Sequence, residues 1–193
     1  DRHPYPEQQT LRELLPSDRR YVYDIRAIIN TLADEGSFIE LKAGFGGAIV
    51  TGFIRLQGQP IGLLASDCRV LGDAIDVDAA EKAADFINLC NQFGIALVSL
   101  CDTPGFMVGP EHEQRGAARR LVKMFSAGAH LDVPLVAVVL RKCYGLGAQA
   151  LLGGSTHSPN YTMAWPTGEF GPMGLEGAVK LGFKRELEAT AEG

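Results

Sequence analysis

Ile95-Ala96-Leu97-Val98-Ser99-Leu100-Cys101 runs straight into Asp102-Thr103-Pro104-Gly105-Phe106, and Val133–Leu140 runs straight into Arg141-Lys142-Cys143-Tyr144-Gly145-Leu146-Gly147-Ala148. Each apolar run is too short for a buried helix and lacks the alternation of a half-exposed strand. Continuous apolar strands are buried on both faces, and helices are what cover them. The intervening sequence supplies those helices, at about Glu111–Leu131 and Leu146–Leu152. The pattern therefore predicts an α/β fold with parallel strand pairing.

Working outward, Tyr161–Trp165 reads as a third strand and Gly174–Leu187 as a further helix. Upstream, Ala79–Phe93 has apolar residues Ala83, Phe86, Ile87 and Cys90 at helical spacing and stops at Gly94. Phe38–Leu41, Ala48–Leu56 and Ile61–Ser66 are strand-like, with Gln57-Gly58-Gln59-Pro60 as the hairpin signal between the last two. A helix over Tyr21–Leu32 follows a cap at Ser17 or Asp18, with Ile25, Ile28, Ile29 and Leu32 on one face. Residues 1–20 are polar, contain prolines and have no period, so they read as a linker or arm, leaving 21–193 as the domain. The hairpin adds two connected strands before each crossover, a strand–strand–helix rhythm.

The 193 residues carry a formal net charge of −5, with 46% apolar and 21% charged residues, which suits one ordinary globular domain and excludes general disorder. An acidic chain without a basic stripe is not a phosphate-backbone binder. Arg115, Arg119, Arg120 and Lys123 form the one basic cluster and read as a solvated helix face. Cys68, Cys90, Cys101 and Cys143 show no CxxC spacing and read as reduced, buried thiols of an intracellular protein. His3, His112, His130 and His157 make no ligand pattern, so no metal is expected. No apolar run reaches the roughly 20 residues that span a bilayer, and no secretory signal segment is present. The start without Met and the charged stretch at the end suggest an excised piece of a longer chain.

Two loops can carry chemistry, because ligands of α/β folds bind where strand C-termini feed loops. Glycines admit a ligand to the backbone, and a helix beginning at once presents unpaired N–H groups able to stabilise an oxyanion. The same residues equally describe a type II Pro-Gly turn and a tight Gly-Leu-Gly strand–helix connection. Other motifs are weaker. No Gly-Lys pair exists for a phosphate loop. Gly153-Gly154-Ser155-Thr156-His157 lacks the closing glycine of a nucleophile elbow and reads as a surface loop. Glu111 and Glu113, flanking His112, sit where carboxylates favour a helix start.

Gly36-Ser37-Phe38-Ile39-Glu40-Leu41, Ile49-Val50-Thr51-Gly52-Phe53, Asp102-Thr103-Pro104-Gly105-Phe106, Arg141-Lys142-Cys143-Tyr144-Gly145 and Ala164-Trp165-Pro166-Thr167 occur in this order. Together they resemble the carboxyltransferase component of biotin-dependent acyl-CoA carboxylases, specifically its C-terminal half-domain, over about Asp24 to Glu188. The resemblance implies the crotonase/ClpP-like ββα superhelix. It also implies transfer of CO₂ from carboxybiotin to the α-carbon of an acyl-CoA. In that family CO₂ is released in the closed site, the biotin ureido nitrogen takes the α-proton, and the enolate attacks CO₂. The protein's part is two oxyanion holes of backbone N–H groups. Ungapped matching puts the biotin-side donors of this half at Leu146 and Gly147, and the register also allows Gly145 or Ala148. Pro104, Gly105 and Phe106 would form the opposite wall, and Tyr144 would border the cofactor.

Most relatives read Gly-Gly-Ala-Tyr-Asp where this chain has Gly145-Leu146-Gly147-Ala148-Gln149. Ala148 and Gln149 thus replace a ring and a carboxylate at the acyl end and are the substrate-selecting positions. The resemblance implies biotin on a carrier domain as cofactor and acyl-CoA as substrate. Its expected partners are an N-terminal carboxyltransferase half, a biotin carboxyl carrier and a biotin carboxylase, in a cytoplasmic homo-oligomer. The apolar segments Phe106-Met107-Val108 and Phe170-Gly171-Pro172-Met173 suit interfaces. Two alternatives share the fold. One is a crotonase-type hydratase or isomerase, which would need Glu111, Glu113 or Glu169 as acid or base. The other is a catalytically silent assembly domain.

Overall fold

The structure is a computed structural model that describes residues 8–107, 109, 117–154 and 161–184. The hairpin comes first: β1 (Ile39–Leu41) and β3 (Gln59–Ser66) flank β2 (Ile49–Leu56), all antiparallel. Leu56 pairs with Gln59, so the loop is only Gln57 and Gly58, both at positive φ (54° and 80°). That is the mirror-image turn whose twist suits a tight hairpin, and it brings Gln59 and Pro60 into the strand.

From β3 onward the sheet is parallel. β4 (Leu97–Thr103) pairs with β3, β5 (Leu135–Tyr144) with β4, and β6 (Tyr161–Ala164) and β7 (Glu169–Gly171) both pair with β5. Among the described residues the sheet has seven strands, ordered β1-β2-β3-β4-β5-β6 with β7 beside the end of β5. The crossovers are α3 (Val77–Gln92), into β4, and α4 (Ala117–Ala129), into β5. α5 (Gly145–Leu151) leaves the end of β5, and α6 (Leu175–Gly182) follows β7. The α/β expectation with parallel pairing holds, although only the crossover through α3 follows a hairpin.

Successive strand residues point to opposite faces, and this splits the core in two. Leu64, Leu97, Cys101, Ala137 and Val139 pack beneath α3, α4 and α5. Leu63, Ala65, Leu100 and Leu140 face the other way, onto α2 (Ile25–Leu32). The stretch 1–20, expected as an aperiodic arm, contains α1 (Gln8–Leu14). Leu11, Leu14 and the buried Leu15 pack on the α2 side of the sheet. Tertiary burial of a leucine face makes a helix that the polar local composition hides.

Other boundaries move for identifiable reasons. The Asp24 carboxylate accepts from Arg26 N–H and caps α2, which starts at Ile25; Asp18 instead pairs with Arg20. Asp76 caps α3 through Ala79 N–H. The two loops that follow the apolar runs begin later than Asp102 and Arg141, because Asp102, Thr103 and Arg141–Tyr144 are still strand. β7, absent from the sequence reading, holds Lys142–Tyr144 extended by pairing with them.

Candidate functional site

β4 and β5 end side by side, and their register slips between Cys101 (opposite Val139) and Thr103 (opposite Cys143). The slip lets Arg141 turn inward, where it is 2% exposed and donates from Nε to the buried Asp102 (2.8 Å). The other Asp102 oxygen accepts the Lys142 backbone N–H (2.9 Å), and Tyr23 donates its hydroxyl to the first (2.8 Å). Burial, and next the Asp102 charge, push the Tyr23 phenol far up, so it acts as a donor throughout. These contacts fix the two strand ends relative to each other immediately before the loops.

Gly145 then takes a left-handed conformation (φ 62°), and α5 starts there. The first N–H groups of a helix have no partner within it. Those of the opening turn belong to Gly145, Leu146, Gly147 and Ala148. A Cβ built on Gly147 would stand 2.7 Å from the Gly105 carbonyl carbon and 2.8 Å from Phe106 N. No side chain fits there, so the turn at 145–147 lies directly against the 103–106 loop. The sequence-derived candidates from the two loops are thus brought together. Gly105, Tyr144, Gly147 and Ala148 are buried, Phe106 is half-buried, and Pro104 and Gln149 are exposed. Phe106 packs edge-on against Phe125 (6.0 Å between centroids).

A cavity of about 480 Å³ opens beside the turn, bordered by Gly145, Leu146, Ala148, Gln149, Leu152 and, from the end of β7 and just after it, Phe170, Gly171 and Pro172. None of the described residues lining it carries a charge. Leu146 is 63% exposed and Leu151 is in the core, so neither fills the space next to Ala148.

Glu169 sits close by but is engaged. The Tyr144 hydroxyl donates to it, and Arg19 donates to it at 2.8 Å and to Glu176 at 3.1 Å. The Tyr144 hydrogen bond, reinforced by the Arg19 charge, holds the Glu169 carboxyl below its usual range. A carboxylate so held is a poor general acid or base, which counts against the hydratase or isomerase alternative. Glu111, His112, Glu113, Arg115, His157 and Val108 lie outside the described residues. Arg120 and Lys123 pair with Glu81 on α3 (3.5 and 3.4 Å), and the basic cluster is to that extent a paired helix face. His130 Nδ1 lies 2.8 Å from the Ser126 carbonyl oxygen. All four cysteines are free and buried. Among the described residues no His, Cys, Asp or Glu cluster could hold a metal ion, and no helix is long and apolar enough to cross a membrane.

Two residues that sequence reasoning missed belong to this site. Arg19, in the supposed arm, ties Tyr144 to the β7–α6 segment. Asp73 faces Lys142 from a loop with no motif. Neither has a sequence signal, because each acts through a contact more than 60 residues away.

Residues 2–193 match the carboxyl transferase domain family. The chain belongs to that family. It is 38% identical over 180 residues to the methylmalonyl-CoA carboxyltransferase 12S subunit of Propionibacterium freudenreichii subsp. shermanii, covering 93% of this chain and 34% of the relative. Among solved structures it is similar to a single-chain, multi-domain long-chain acyl-CoA carboxylase (50% identity, TM-score 0.89, 94% of this chain and 18% of that one). It is also similar to the transcarboxylase 12S hexamer solved with methylmalonyl-CoA (37% identity, TM-score 0.87, 95% and 35%). The chain spans about a third of the length of the curated relatives it matches. The fold is the crotonase-like one of these carboxyltransferases, as the resemblance implied.

Proposed function

We propose that this chain is the biotin-side half of an acyl-CoA carboxyltransferase. The observation that supports the reading is the abutment of Gly147 on Gly105, which sets the glycine turn against the Pro-Gly loop, with the cavity beside that turn. Carboxybiotin, borne on a carrier domain, supplies the CO₂ that is transferred to the α-carbon of the acyl-CoA. The chain's own residues fit such a group. The Leu146 and Gly147 N–H groups, in the opening turn of α5, would donate to the neutral ureido oxygen of such a group, with Gly145 or Ala148 as neighbouring donors. Such donors stabilise the charge that develops on oxygen, and each contributes about 3 kcal/mol in comparable sites. Pro104, Gly105 and Phe106 form the loop against which the turn packs at Gly147, and they would shield that side of the bound group from water.

Ala148 and Gln149 face the cavity where the family commonly carries a ring and a carboxylate. The open volume, together with 50% identity to a long-chain acyl-CoA carboxylase, supports long acyl groups as substrates. Each further buried methylene favours binding by about 0.8 kcal/mol. An N-terminal half from another protomer, a carrier and a biotin carboxylase complete the enzyme in the cytoplasm, and this half is inactive alone. Exposed Phe170, Met173 and Leu175 form an apolar surface suited to that assembly.

The test is carboxyl transfer with free biotin by the full-length protein, comparing specificity constants for acetyl-, propionyl- and palmitoyl-CoA. Transfer to palmitoyl-CoA at least as efficient as to propionyl-CoA is expected. Strict short-chain preference would overturn the substrate assignment, and no transfer to any acyl-CoA would overturn the activity.

A further inference from the structure

The turn Leu71–Asp73 touches both loops of the site. Leu71, Gly72 and Asp73 all have positive φ (51°, 59° and 69°), a conformation that is costly for Leu and persists there because the surroundings hold it. The Asp73 carbonyl accepts the Thr103 hydroxyl (2.7 Å), and Gly105 N–H donates to that hydroxyl oxygen (3.1 Å). Two residues on, Ile75 N–H donates to the Gly105 carbonyl and Met107 N–H donates to the Ile75 carbonyl, each at 2.9 Å. Residues 73–75 thus hold the 103–107 loop by its backbone. The Asp73 side chain reaches the other way and binds Lys142 Nζ, on β5 three residues before Gly145.

We propose that Asp73 is a positioning residue: through Lys142, its carboxylate sets how closely the glycine turn at 145–147 sits against the 103–106 loop. The proposal rests on the reading of that turn as the oxyanion site. Asp73 is 1% exposed, and its Oδ1 has no hydrogen-bond partner among the described residues. A buried carboxylate with one orphan oxygen is costly for folding, so its retention calls for another reason.

The charged and titratable groups facing it are Lys142 and Arg141 from β5, Asp102 from β4 and Cys68 from the loop after β3. Burial, and next the Asp102 charge, raise the Asp73 carboxyl to about 6 despite Lys142. Protonation below that pH removes the charge opposite Lys142, whose other carboxylate, Asp102, is 3.9 Å away. The clamp therefore loosens on the acid side, and misplacement by even ~1 Å costs on the order of 100-fold in rate.

The experiment is the carboxyltransferase half-reaction of the full-length enzyme with free biotin, from pH 5 to pH 8, for wild type and Asp73→Asn. The Asn variant is expected to lose about tenfold or more in kcat at pH 7.5, with KM for acyl-CoA changed less than about twofold. The wild-type acid limb near pH 6 should vanish from the variant, which a merely structural role would not produce. An unchanged kcat, or a lowered kcat that keeps the limb, overturns the proposal. If the Asn variant does not fold, a wild-type kcat flat from pH 5 to pH 7 overturns it equally. Leu146→Pro, assayed in parallel, separates the two claims. Loss of turnover there with a normal Asp73→Asn enzyme sinks only the role of Asp73, whereas full turnover in Leu146→Pro sinks the oxyanion turn.

Discussion

Arg141 Nε donates to Asp102 Oδ2 at 2.8 Å, and both side chains are almost wholly withdrawn from solvent. The guanidinium also donates to the Tyr21 carbonyl (2.7 Å) and lies over the Tyr23 ring, 4.6 Å from its centroid. A buried charge with this many partners is hard to remove singly. Arg141→Met leaves Asp102 uncompensated by its nearest cation and should cost about 3–5 kcal/mol of stability. The double variant Arg141→Met with Asp102→Leu should lose less than the sum of the two singles. Urea unfolding of the four proteins checks both statements, and additive losses would deny the coupling.

A second expectation concerns pH and stability. The Asp73 carboxyl is raised from 3.8 to about 6 in the fold. The folded state therefore holds a proton that the unfolded chain releases. The associated stability is complete below about pH 3.8 and is lost as pH rises through 6. Relative to Asp73→Asn, wild type should lose about 1–2 kcal/mol between pH 5 and pH 7. Parallel urea midpoints for the two proteins across that range would contradict the assignment.

The apolar runs at 95–101 and 133–140 made the parallel sheet legible, because nothing but a doubly covered strand explains them. The same runs drew attention to Gly105 and Gly147, whose abutment the structure shows. Long-range charge pairing was hidden. Arg141 and Lys142 read as loop residues until Asp102, Asp73 and β7 are seen to hold them in strand. α1 was hidden for a related reason, since Leu11, Leu14 and Leu15 declare a helix only through what they pack against. Arg19 gave no signal at all, because its role lies in Glu169 and Glu176 far along the chain.

The open space beside Ala148 gives a third expectation. Ala148→Tyr with Gln149→Asp introduces the ring and carboxylate that the family resemblance implies at these positions and fills part of the 480 Å³ cavity. The specificity constant for palmitoyl-CoA should fall about tenfold or more relative to that for propionyl-CoA, corresponding to a few methylenes denied burial. An unchanged ratio would mean that the acyl chain lies elsewhere.

Gly147 offers a fourth. Gly147→Ala keeps the N–H but drives a methyl into the Gly105 backbone, where a Cβ would stand 2.7 Å from the carbonyl carbon. Backbone cannot give way as a side-chain tip can, so a cost of about 1–3 kcal/mol is expected. Thermal unfolding checks this, and an unaltered midpoint would show that the two loops are not in contact.

Leu146→Pro tests the central claim most directly. Leu146 is exposed and lies in the first turn of α5, where proline is tolerated, so the substitution deletes one N–H and leaves the core intact. In the full-length enzyme, kcat for carboxyl transfer with free biotin should drop about 100-fold or more while the unfolding midpoint stays close to wild type. Leu146→Ala, which keeps the N–H, should retain far more turnover than the proline variant. A Leu146→Pro enzyme that turns over at the wild-type rate would contradict the account, since the opening turn of α5 would then not be the oxyanion donor.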